Sequence, residues 1–381
     1  MRCAFLTFLA IGTAMVGAGG TAFAQDGGTQ MAPQAASEMK AGGFDAFIPD
    51  PQTQTRLDYG IWESALDMFV LRMGPSLRQS PGRAEASPGT RRIFGHTSLY
   101  RLEGNRVAFS YLDDEVKASL AEYLADLQRI GTEIDVATLP RNEQLSFWIN
   151  LHNVAVIKTI AENWPVRQPK DIEIGDITYD RAPFMEVAGV KMSPYDIRTK
   201  IVYPNWSDPR IIYAFFHGEI GGPSIAKDAY TPSMLRNLLQ ENAEEFVNSM
   251  RGTEKRGDTL YVSELYEEAR PFYFQNWPSD LRDHLNQFAV DELKEDMAKT
   301  TQIDASIKEH DIADLAYGVR EPTYSEVTRS DEYGRTASFR VPPSIARLME
   351  ERMRKYQRLR EQGVPTGRVY VLDMEGAEEI E

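Results

Sequence analysis

Residues 141–162 read RNEQLSFWINLHNVAVIKTIAE, and this stretch decides the fold. Leu145, Phe147, Trp148, Ile149, Leu151, Val154, Ala155, Val156 and Ile157 make it apolar nearly all the way round when wound as a helix, and such a helix belongs inside a protein. A polar stripe runs through it. Glu143, Ser146, Asn150 and Asn153 follow at steps of three, four and three, which puts them on one face. A buried amide or carboxylate left without a hydrogen bond costs about 1–3 kcal/mol. The stripe must therefore face a polar cleft or a loop whose backbone it satisfies. Buried polar groups most often serve the backbone, so bracing is the first expectation and cleft lining the second.

On the N-terminal side, Asp113-Asp114-Glu115 opens another helix, with Val116, Leu120, Tyr123, Leu124 and Leu127 as its apolar stripe and Gly131 as its expected end. Three acids in a first turn suit the helix dipole and need no metal. Residues 58–73 read as a short amphipathic helix, 79–89 as a Pro/Gly/Ser loop and 105–110 as a strand. On the C-terminal side, short strands are expected near residues 172–177, 186–190 and 210–216. A helix over 231–250 and a strand over 259–262 follow. Pro342-Pro343-Ser344 starts a helix with Ile345, Leu348, Met349, Met353, Tyr356 and Leu359 on one side and many arginines on the other, and 368–372 reads as a closing strand. Helices first and strands later predict an α+β fold: a central buried helix packed on a mostly antiparallel sheet. A papain- or transglutaminase-like arrangement is one form of it, by analogy alone.

The first residues have the layout of a secretory signal. Arg2 is the one charge before Gln25, an apolar run extends from Ala4 to about Ala18, and the small-x-small element Ala22-Phe23-Ala24 follows. The run falls short of the ~20 apolar residues a spanning helix needs. Cleavage after Ala24 is expected, giving a periplasmic or secreted protein. Cys3 leaves with the signal, so the mature chain has no disulfide, no thiolate nucleophile and no cysteine-ligated metal. The net charge of −15 disfavours nucleic acid and anionic lipid as partners. The expected partner is an unidentified ligand or protein, with no cofactor and no transmembrane span after signal removal. The organisation reads as signal peptide 1–24, flexible linker 25–43, main globular domain 44–295, and a C-terminal extension 296–381 carrying the basic helix and a short strand.

The segment Asn142-Glu143-Gln144-Leu145-Ser146-Phe147-Trp148-Ile149-Asn150-Leu151-His152-Asn153 resembles the signature helix of the family called domain of unknown function 547, with His152 where that family usually has Tyr. Asp208-Pro209-Arg210-Ile211 is similar to its Asp-Pro-Arg strand, and Tyr230-Thr231 to its Tyr-Thr helix start. The resemblance spans roughly residues 61–274. It implies a Ser-Cys-Pro turn and a Glu-His pair, and here the chain departs. The turn reads Gly221-Gly222-Pro223, and the pair reads Arg198-Thr199. If the family's Cys and His form a thiol-type pair, Gly222 and Thr199 have replaced both members.

The candidate cleft residues are therefore Glu143, Ser146, Asn150, Asn153, His217, Gly221 and Gly222, with no catalytic residue among them. The alternative is a hydrolase or transferase that uses His217 with Ser224 or Glu219, flanking a glycine-rich turn after a strand. Against it, no Gly-x-Ser-x-Gly elbow surrounds Ser224, and Pro223 has no amide to donate. Histidines at 96, 152, 217, 284 and 310 show no His-Glu-x-x-His spacing, so no metal site is expected.

Overall fold

The computed structural model describes residues 43–79, 102–330, 334, 336–365 and 380. The expected signal peptide and linker, most of the 79–89 loop and the 368–372 strand lie outside the described residues. The helices are α1 (Gly60–Phe69), α2 (Asp114–Glu133), α3 (Arg141–Asn163) and α4, which starts over Pro194–Asp196, winds as a π-helix over Ile197–Val202 and closes at Tyr203–Asn205. They continue with α5 (Leu235–Val247), α6 (Leu265–Tyr273), α7 (Ser279–Phe288), α8 (Asp291–Ala298) and α9 (Pro343–Glu361).

The fold is α+β, and α3 is its axis. Every residue from Asn142 to Ile157 is buried, as a helix apolar on all sides requires. Its main neighbours are α2 and α4. Among the described residues the strands form small separate sheets, four of them two-stranded and antiparallel. The largest sheet has Thr253–Arg256 antiparallel to Thr259–Ser263, which pairs in parallel with Gln302–Ile307. That last pairing crosses the expected boundary at residue 296. The chain then threads back through the body: Ile220 donates to Asp311 O at 2.7 Å, Gly221 to Glu309 O at 2.8 Å, and Val107 to Ala313 O at 2.8 Å.

Asp113 caps α2 by accepting from the Val116 amide at 3.0 Å. The helix does not stop at Gly131 but runs to Glu133. Gly131 answers to packing, since a Cβ there would sit 2.6 Å from Val187 Cγ1 and 3.0 Å from Phe147 Cζ. The expected strand over 210–216 is a second correction. Pro209–Ala214 is a buried 3-10 helix, begun by Pro209 and by Asp208 Oδ1 accepting from the Arg210 amide at 2.9 Å. A short apolar run has no periodicity that separates it from a strand; the Asp-Pro start decides it. The basic face of α9 is partly internal, because Lys355 is buried and donates to Glu103 Oε2 at 2.6 Å and Gly74 O at 3.1 Å.

Candidate functional site

A cleft of about 490 Å³ opens between the glycine turn at 217–222, the hairpin residues Thr178–Asp180, the start of α6 and the strand Gln302–Ile307. That volume is within the range of small-molecule sites. Arg198 forms its floor. The π turn of α4 sets this side chain inward with 1% exposure, where its guanidinium grips two carboxylates. Nη1 and Nη2 reach Asp180 at 2.8 and 3.0 Å, and Nε and Nη2 reach Glu268 at 2.8 and 3.0 Å. Burial opposes charge on both acids, but the Arg198 guanidinium outweighs it and holds Asp180 and Glu268 below the usual carboxylate range.

Arg198 Nη1 also lies 3.0 Å from His152 Nε2. His152 Nδ1 in turn meets Asn153 Oδ1 at 3.1 Å, and the same oxygen accepts from the Phe216 amide at 2.9 Å. Asn153 Nδ2 donates to Ala214 O at 2.9 Å. A continuous polar chain thus links α3 to the segment after the Pro209–Ala214 helix that carries His217. Burial, then the positive Arg198, pushes the His152 imidazole well below its ordinary value, so it is neutral.

His217 lines the cleft, and its buried Nε2 has no hydrogen-bond partner. Burial and Arg198 bring its imidazole down to about 4. Beside it, Glu219 Oε2 is 2.8 Å from His310 Nδ1. That hydrogen bond holds His310 above the usual imidazole value, while burial raises Glu219 against the pull of His310. Lys308 pairs with Glu264 at 2.8 Å on the same rim.

The turn itself is stripped of side chains. A Cβ at Gly222 would lie 3.3 Å from His217 Cβ, so the position where the resembled family has cysteine is next to this histidine. A Cβ at Gly221 would meet the Glu309 backbone at 2.7 Å. The amides of Ile220, Gly221 and Gly222 donate to Asp311 O, Glu309 O and Glu219 O.

The remaining expected residues lie elsewhere. Asn150 braces Tyr230, donating to its carbonyl at 2.7 Å and accepting from its amide at 3.1 Å. Glu143 and Ser146 are fully buried toward the other end of the helix, where the Leu57 amide and Tyr59 partly offset the rise that burial imposes on the Glu143 carboxyl. Ser224 is not brought to His217. Its Oγ donates to Glu245 at 2.9 Å and accepts from the Asn105 amide and Arg251, both at 3.0 Å, which fills its capacity. Thr199 bonds Tyr195 O at 2.8 Å within its own helix. Asp180, Glu264, Glu268 and His310 are among the cleft residues that the sequence did not single out, and no local spacing connects them to His217.

Residues 136–247 match the family model described as protein of unknown function, DUF547. The chain resembles that family. None of the curated proteins and none of the solved structures compared with the chain matches it. The stretch similar to DUF547 supplies α3, the hairpin of Glu173–Ile174 with Ile177–Thr178, the π turn of α4 and the glycine turn. The opposite wall, from Thr259–Ser263, α6 and Gln302–Ile307, lies beyond it.

Proposed function

We propose that the protein is an exported, non-catalytic binding protein that holds a small polar ligand in the cleft at His217. One observation carries this reading. Where the resembled family has a cysteine beside this histidine, Gly222 offers no nucleophile, and the amides of the turn are already bonded to backbone carbonyls. An oxyanion hole needs amides aimed at empty space, and these are not. The arrangement suits retention of a ligand better than transfer of an acyl group. Export rests on Arg2, the apolar run and Ala22-Phe23-Ala24. Among the described residues no helix is long and apolar enough to cross a membrane.

The second reading is a hydrolase or transferase, favoured by the unpartnered Nε2 of His217. A fluorophosphonate probe separates the two. The binding reading expects no covalent labelling of the parent protein. Labelling that disappears in Ser224→Ala, or in His217→Asn, overturns it. Export is checked by the mass of the secreted chain, expected to begin at Gln25.

A further inference from the structure

Two members of the polar stripe on α3 take no part in the cleft, Glu143 and Ser146. Both are completely buried. Neither carboxyl oxygen of Glu143 has a hydrogen-bond partner among the described residues, and the Ser146 hydroxyl has none either. The buried hydroxyl of Tyr59 is in the same position. Buried polar groups in native proteins are bonded to protein or to ordered water in the large majority of cases, so three orphans in one place call for an account.

The three do lie together. Glu143, Ser146 and Asn150 share one face of α3, with Ser146 on the turn between the other two. Tyr59, the residue before α1, brings its hydroxyl to that face, where the Glu143 carboxyl and the Asn150 amide both act on it. Asn150 is committed to the Tyr230 backbone. Tyr123 of α2, whose hydroxyl is also buried and unpartnered, acts on Tyr59 in turn. Residues 49–59 cover this end of the stripe without regular structure. They are held by the amides of Asp50 and Gln52, which donate to Ala137 O and Thr138 O at 2.8 Å, and the Leu57 amide acts on Glu143 from above.

The chemistry of the set decides what it holds. A lone carboxylate taken into a core neutralises itself by keeping its proton. The cation that acts on Glu143 is Arg56, which is exposed on the covering segment. Once protonated, Glu143 has an O–H and a carbonyl, and each hydroxyl both donates and accepts. Water, with two hydrogens and two lone pairs, joins such groups where they do not reach one another. A calcium-like cation asks for roughly six to eight oxygen ligands, and this set has one carboxyl and three hydroxyls. We infer that Glu143 is a neutral carboxylic acid at pH 7 and that, with Ser146 and Tyr59, it binds a buried water molecule between α3 and the segment 49–59. This site is independent of the cleft at His217. Burial raises both Tyr59 and Tyr123 above the ordinary phenol value, so neither ionises near neutrality, and Asp58 beside Tyr123 is exposed.

Infrared difference spectroscopy of the purified protein in heavy water at pH 7, parent against Glu143→Gln, tests the proton. The parent should show the carbonyl stretch of a protonated carboxylic acid that the variant lacks, and Tyr59→Phe should shift this band without removing it. A difference confined to ionised carboxylate overturns the inference. Urea denaturation reads the same proton through stability. The folded value lies above the unfolded one of about 4.3, so the contribution of Glu143 is full below that value and is lost as pH rises. The unfolding constant of the parent should therefore grow relative to that of Glu143→Gln by about tenfold per pH unit between about 5 and 7. A ratio that stays constant overturns the inference. A crystal grown in rubidium chloride tests the occupant. Density within hydrogen-bond distance of Glu143, Ser146 and Tyr59, without the anomalous signal of rubidium, is expected. Rubidium at that point, or no density there, overturns the water. If Glu143→Gln does not fold, the acid band of the parent and its shift in Tyr59→Phe carry the first test, and an unshifted band overturns the assignment.

Discussion

His152 and Arg198 meet through Nε2 and Nη1 at 3.0 Å, and this contact fixes the state of the imidazole. A guanidinium only donates, so Nε2 must carry the lone pair. The single proton of the neutral ring then sits on Nδ1 and is donated to Asn153 Oδ1 at 3.1 Å. The buried helix is thereby joined to the floor of the cleft by a chain of defined direction, from Arg198 through His152 to the residue that holds the Phe216 amide.

Replacing His152 by Phe keeps a ring in the same space and removes both ends of that chain. One Arg198 hydrogen and one lone pair of Asn153 then lose a partner while buried. We expect a loss of about 1–3 kcal/mol in stability, read from urea denaturation. Nitrogen NMR of the parent should report Nδ1 protonated and Nε2 bare throughout the range from neutral to pH 5. A protonated Nε2 would contradict the assignment.

Removing Arg198 should cost more. In Arg198→Met, Asp180 and Glu268 face one another without their shared cation, and breaking a buried ionic cluster on one side costs about 3–5 kcal/mol. Adding Asp180→Asn and Glu268→Gln should recover much of the loss, which a denaturation cycle measures. The pH sign follows from the two carboxylates, whose folded values lie below their unfolded ones. Their contribution is full above the unfolded value of about 4 and disappears as pH falls through the folded values. The parent and Arg198→Met should therefore converge in stability under acid. A gap that stays constant down to pH 2 would count against the cluster.

The helix α3 was legible because burial on all sides leaves a signature that no surface helix has. The steps between Glu143, Ser146, Asn150 and Asn153 were legible for the same geometric reason, and two of the four serve backbone groups, at Tyr230 and at Ala214 and Phe216. The cleft was less legible. His217, Gly221 and Gly222 stood out by the turn they make, yet Arg198 reaches partners 18 and 70 residues away, and only the tertiary fold decides such contacts. The run over 210–216 reads as a strand because β-branched and aromatic residues look alike in strands and in tight buried helices. Residues after 296 read as an extension because their composition becomes more polar, and within them Gln302–Ile307 alternates. That alternation is the mark of an edge strand: Gln302–Ile307 alternates exposed and partly buried along the side of the sheet.

Protonation of His217 offers a separate test. Its imidazole titrates at about 4 when folded, against about 6.5 unfolded. The unfolded state binds the proton more readily, so the contribution is full above about 6.5 and is lost as pH falls toward 4. In His217→Asn the thermal midpoint should fall less between pH 7 and 4.5 than in the parent. Asp314, raised by burial to about 6, acts with the opposite sign between about 4 and 6, and is common to both proteins. An identical pH profile in parent and variant would place the His217 proton elsewhere.

The two glycines of the turn should behave differently although they are adjacent. A methyl at Gly221 meets the Glu309 carbonyl at 2.7 Å and its amide nitrogen at 2.9 Å, so the backbone behind the turn must move. Overpacking against backbone of this kind costs about 1–3 kcal/mol. At Gly222 the nearest atom is His217 Cβ at 3.3 Å, a side chain at the edge of an open cleft, and no left-handed backbone angle demands glycine there. Gly222→Ala should stay within about 1 kcal/mol of the parent, because a compatible Gly→Ala change also stiffens the unfolded chain. Gly222→Cys should fold equally well and would place a thiol beside His217, where Cys3 is the one cysteine of the parent sequence. With the imidazole able to take the thiol proton, iodoacetamide should label this variant at neutral pH. Labelling should slow when His217→Asn is added. Equal rates with and without His217 would mean that the two positions, though adjacent, are not aligned for proton transfer.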